Sequence, residues 1–131
     1  MSRASGSFEV TSWTEDAYEH VDGGGRLTRA VVEQKFSGAV DGDGAVQWLM
    51  AYSADGRAHF VGIQRITGSL AGRTGSAVFE TIGEFDGETA TGRWTVVPGS
   101  GTSGFRGLSG SGSFSAPHGP RATYQLDYAF A

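Results

Sequence analysis

The chain contains no cysteine and no asparagine, three prolines and a single lysine. Without cysteine there can be no disulfide, thiolate nucleophile, zinc ribbon or iron–sulfur cluster. Three prolines exclude a proline-rich linker. Lys35 stands alone among arginines that are scattered singly, so no basic stripe exists to follow a phosphate backbone, and the formal charge of −4 agrees. No run approaches the ~18 apolar residues of a membrane span, and no apolar leader follows Met1. The expected partners therefore include neither nucleic acid nor membrane, and a cytoplasmic location is expected.

Glycine is plentiful, with 22 residues among 131, but it has no three-residue period, which excludes collagen. Hydrophobic residues make up 38% and aromatics 11%, enough for one core and one domain spanning 1–131. Nearly every patterned segment has a period of two. Val46, Trp48, Met50 and Tyr52 alternate with smaller or polar residues, as do Trp94 and Val96, and Tyr124, Leu126, Tyr128 and Phe130. This is the pattern of half-buried antiparallel strands. Asp-Gly pairs at 41–42, 43–44, 55–56 and 86–87 read as hairpin turns. Strands are predicted near 6–13, 27–41, 44–53, 57–70, 74–85, 88–97, 111–116 and 121–130. The fold class is all-β, a single antiparallel barrel of about eight strands. Two segments interrupt it, the acidic run 14–26 and the Gly/Ser-rich run 98–112. Each reads either as a lid or as a connector whose apolar residues tuck into a barrel end.

Most chemical motifs dissolve on inspection. Gly99-Ser100-Gly101-Thr102-Ser103-Gly104 has dinucleotide-loop spacing but no helix pattern after it. Asp41-Gly42-Asp43-Gly44 lacks the later acidic positions of a calcium loop and reads as a turn. His20, His59 and His118 share no ligand spacing, so no metal and no cofactor is expected.

The informative constellation is aromatic. Trp48, Met50, Tyr52, Trp94, Tyr124 and Tyr128 lie on faces expected to point inward, where they either fill the barrel or line a ligand cavity. Arg65 and Glu80 interrupt apolar strands. If the bulkier aliphatic faces point inward, these two share the interior with His59 as polar contacts; in the opposite register all three are solvated. Tyr52, Arg65 and Glu80 are the candidate catalytic groups, able to polarise a carbonyl or epoxide or to move a proton. Trp48, Met50, His59, Trp94, Tyr124 and Tyr128 are the candidate ligand contacts.

Several runs occur together: Leu27-Thr28-Arg29-Ala30, Phe36-Ser37-Gly38, Trp48-Leu49-Met50-Ala51-Tyr52, Phe60-Val61-Gly62, Val96-Val97-Pro98-Gly99-Ser100-Gly101-Thr102, Ala116-Pro117-His118-Gly119-Pro120 and Leu126-Asp127-Tyr128. On these the chain resembles a family of small bacterial proteins of unknown function that looks like a member of the allene oxide cyclase-like, calycin-like β-barrel group. It departs from the expected pattern at Glu80-Thr81 and at Ser103-Gly104-Phe105. The resemblance implies relatives that cyclise or steer reactive, apolar small molecules, among them natural-product intermediates; no active-site residue carries over from it. Three readings stand: a cofactor-independent isomerase or cyclase acting on a hydrophobic small molecule, a lipocalin-like carrier, and a filled barrel that serves as an interaction module. An oligomer of identical chains is expected.

Overall fold

The computed structural model describes residues 1–117 and 121–131; His118 lies outside the described residues. The strands are β1 (Ser2–Val21), β2 (Gly25–Gly38), β3 (Val40–Tyr52), β4 (Ala58–Leu70), β5 (Arg73–Phe85), β6 (Ala90–Val96), β7 (Thr102–Ser103), β8 (Leu108–Ala116) and β9 (Arg121–Phe130). Every pairing is antiparallel. Around the circuit β1-β2-β3-β4-β5-β6-β8-β9 the sheet returns to β1 and closes, while β7 adds two residues beside β5. Eight long strands thus form the barrel that the alternation predicts. Among the described residues no helix is long and apolar enough to cross a membrane.

Two of the expected turns are elsewhere. The Asp-Gly pairs at 55–56 and 86–87 do turn the chain, with Gly56 and Gly87 at positive φ. Asp41 to Gly44, however, lie inside β3, opposite Ser69 to Ile66 of β4. The turn before β3 falls at Gly38-Ala39, where Gly38 has φ 98°. It is pinned by Tyr124, whose hydroxyl lies 2.9 Å from the Ser37 carbonyl and accepts the Val40 N–H at 3.0 Å.

The interior is built from rings set against glycines. Trp48 faces Gly62 on the neighbouring strand, and Phe114 faces Gly92. A Cβ on Gly62 would lie 2.2 Å from Trp48 Cδ1, and one on Gly92 would lie 2.4 Å from the Phe114 ring. Only a residue without a side chain lets a barrel this narrow hold such rings flat against its wall. The rings then meet one another. Phe79 and Trp94 are 4.9 Å apart, Phe8 and Phe36 5.1 Å, and Trp48 and Phe60 5.3 Å. The barrel's centre is a packed cluster of rings.

Run 98–112 connects β6 to β8 through β7, and its last five residues already belong to β8. Phe105 is buried beneath one barrel end, 6.4 Å from Phe130, and the Gly104 N–H bonds the Thr74 carbonyl. Ser100 and Thr102 spend their hydroxyls on β5, so the glycine spacing there serves a plug.

Polar groups in the core are few. Gln34 and Gln64 bond each other across Gly44. Trp48 Nε1 and Thr81 Oγ1 are buried without a protein partner, in one cross-strand row with Gly62 between them.

Two stability tests follow from the packing. Gly62→Ala forces Trp48 off its seat and should destabilise by about 1–3 kcal/mol, read as a lower Tm in thermal circular dichroism. Thr81→Val keeps the shape and removes an unpaired hydroxyl, so the same melt should be unchanged or shifted upward, with a gain of up to about 1 kcal/mol.

Candidate functional site: a shelf under the β1 arm

Strand β1 is twice the length of β9, and β9 pairs with it only over Ser2–Glu9. Among the described residues, 10–21 continue past the end of β9, paired with β2 on one side alone. The acidic run expected to be a lid or connector is largely this strand, and only Asp22 to Gly24 turn. The period-two reading misses it because two bulges, at Thr11 and Tyr18, each reverse which residues face inward. Before the first bulge Ala4 and Phe8 point in. After it Trp13 and Glu15 lie opposite Val32 and Ala30, both buried, and so take the inner side.

The arm, β2 and β3 together form a shelf at this end of the barrel. Glu15 is its polar centre. Thr28, fully buried, donates to Glu15 Oε2 at 2.6 Å, and Trp13 Nε1 donates to Oε1 at 3.1 Å. Trp13 also leans on Trp48 at 5.7 Å between ring centroids. Tyr52, half-buried, points its hydroxyl at Met50 Sδ, 3.8 Å away, beside the Glu15 carboxylate. The Arg26 guanidinium sits 4.2 Å over the Tyr52 ring. Burial first, then the hydrogen bond to and the charge of Glu15, push the Tyr52 pKa up to about 12, against a smaller opposing pull from Arg26. The Tyr52 hydroxyl therefore keeps its proton at neutral pH.

Of the residues expected in the site, Trp48, Met50 and Tyr52 do point inward and converge here. Trp94 and Tyr124 point inward but belong to the packed centre, where Trp94 Nε1 donates to the Gln125 carbonyl at 3.2 Å. Tyr128 lies at the opposite end, 5.9 Å from Phe130. Arg65, Glu80 and His59 are exposed on the outer wall, which corrects the inward placement. The reason is register: β4 turns Phe60, Gln64 and Ile66 inward, so the aliphatic Val61 and Ile63 go outward and take His59 and Arg65 with them. Glu80 faces outward likewise, with Phe79 and Thr81 inside. Arg65 donates to Ser76 Oγ at 3.1 Å, and His59 lies 3.9 Å from Glu84. Trp13, Glu15, Arg26 and Thr28 were not foreseen. The signal available was the alternation of Trp13, Glu15 and Ala17, hidden by the bulges on either side. Among the described residues no three His, Asp or Glu side chains gather as a metal site.

The closed eight-stranded antiparallel barrel with its ring-packed core is a small all-β domain. A profile of the DUF3224 family, described as a protein of unknown function, matches residues 4–128, and the chain belongs to that family. The crystal structure of a DUF3224 protein of unknown function from Shewanella oneidensis MR-1 superimposes with a TM-score of 0.85. That protein is 30% identical, and the match covers 100% of this chain and 98% of that one. No curated protein matches this chain.

The shelf makes a pH prediction. The folded protein holds the Tyr52 proton more tightly than the unfolded chain, whose tyrosines titrate near 10. The stability contributed by Tyr52 is thus present in full below about pH 10 and is lost as pH rises through about 12. Glu15→Gln should lower the Tyr52 pKa partway, since burial remains. Phenolate absorbance of the wild type and Glu15→Gln, each referenced to its Tyr52→Phe counterpart, measures the change.

Proposed function

We propose that the protein binds an apolar, ring-bearing small molecule on the shelf rather than inside the barrel. The observation that carries this reading is a protonated Tyr52 donor beside a Glu15 acceptor, with Arg26 over the Tyr52 ring and Trp13, which donates to Glu15, leaning on Trp48. Aromatic walls supply affinity, and a few fixed polar groups orient the ligand. Tyr52 suits a ligand carbonyl or epoxide oxygen. Glu15, held by Thr28 and Trp13, suits a ligand hydroxyl or an acidic C–H.

The same geometry supports an isomerisation or cyclisation that needs no cofactor. The shelf would hold a flexible chain folded, and Tyr52 would stabilise charge that develops on oxygen. The sequence runs that resemble allene oxide cyclase-like barrels agree with this extension, and a carrier would use the same contacts without turnover. The packed centre favours a second reading, the filled barrel as an interaction module.

Titration with 2-acetylnaphthalene, a flat ring ketone, tests the reading through the intrinsic fluorescence of Trp13 and Trp48. Binding should change that fluorescence. Tyr52→Phe should weaken it by about tenfold, the worth of one hydrogen bond. Trp13→Ala should cost more, because it removes a wall, and Tyr128→Phe should leave affinity unchanged. Unaltered affinity in both Tyr52→Phe and Trp13→Ala would place any binding site elsewhere.

A further inference from the structure

The outer wall of β2 to β5 carries an apolar surface that the barrel does not need. Leu49, Val61 and Ile82 lie side by side in one cross-strand row, with Val31 and Ile63 in the next. Ile63 is 57% exposed and Leu49 50%, and the other three are close to 40%. A solvated outer wall would carry polar residues at these positions, as β8 does with Ser109, Ser111, Ser113 and Ser115.

The border of the patch is charged in both signs. Arg29, Arg65 and Arg93 stand around it with Glu33 and Glu80, and none of the five forms an ion pair among the described residues. A surface with unpaired charges of both signs is complementary to itself. The acidic arm is not: Glu15, Asp16, Glu19 and Asp22 would repel their own copy along its free edge, although the chain has backbone to pair there.

We infer that this β2–β5 face is where two copies of the chain pack, outer wall to outer wall, about a two-fold axis. An axis lying across the strands at the level of Val31 and Ile63 stacks each of these on its own copy. Arg29 and Glu33 stand two residues to either side of Val31 on β2, so the same axis sets Arg29 of one copy against Glu33 of the other, twice. Ile82 and Val78 exchange in the same way on β5. Glu80 then meets its own copy, with Arg65 diagonally beside it on the neighbouring strand. Four strands about 4.8 Å apart and nine residues rising about 3.3 Å each span roughly 500–600 Å² in projection. Side-chain relief brings this close to the about 800 Å² that each partner buries in an ordinary stable complex. The inference is independent of the shelf, which faces the other side of the sheet.

Sedimentation equilibrium across the micromolar range tests it. The wild type should sediment at twice the 13.7 kDa chain mass. Ile63→Arg, a change at an exposed position, should weaken the dimer at least 100-fold while the circular dichroism melt is preserved, and Leu49→Lys serves if that variant fails to fold. Arg29→Glu alone should weaken it at least tenfold, and Arg29→Glu combined with Glu33→Arg should restore it. A monomer at every concentration overturns the inference. So does a dimer that survives both folded patch variants, or a double reversal that fails to rescue the single one.

Discussion

Everything in this barrel depends on how large rings are fitted inside a narrow closed sheet. Eight strands leave an interior that side chains can just fill. Trp48, Phe60, Trp94 and Phe114 occupy it because the facing position on a neighbouring strand is Gly62, Gly83, Gly112 or Gly92. Each ring lies over bare backbone and presses its other side on further rings. Register is thereby locked: a one-residue slip would put a glycine outside and a ring against a Cβ.

Rings pack the centre, and among the described residues the polar cluster of Glu15, Thr28 and Tyr52 gathers where the sheet runs on past β9. Strand β1 outruns β9, and its bulges swing Trp13 and Glu15 onto the inner side of the overhang. There Thr28 and Trp13 donate to the Glu15 carboxylate, while Tyr52 is half-buried and keeps its proton. The arm thus sets a hydroxyl donor beside a carboxylate acceptor.

The outer wall follows a second logic. One side, from β8 to β9, is serine, threonine and glutamine; the other, from β2 to β5, is Leu49, Val61, Ile63 and Ile82 ringed by charge. The two sides differ in how much apolar side-chain surface they expose.

The sequence by itself determined the fold class, the strand count and the inward faces of β3, β6 and β9, because period-two alternation is a local property of each strand. It also set Trp48, Met50 and Tyr52 on one face. Tertiary structure decided the rest. On β4 both faces are apolar, so alternation could not say which goes in, and only packing against Trp48 and Phe114 put Phe60 inside and sent Arg65 and His59 out. Two bulges in β1 broke the period and hid Trp13 and Glu15. Whether the barrel was full or hollow rested on cross-strand partners far apart in the chain, with Gly62 under Trp48 and Gly92 under Phe114. Such pairings are fixed only when the sheet closes.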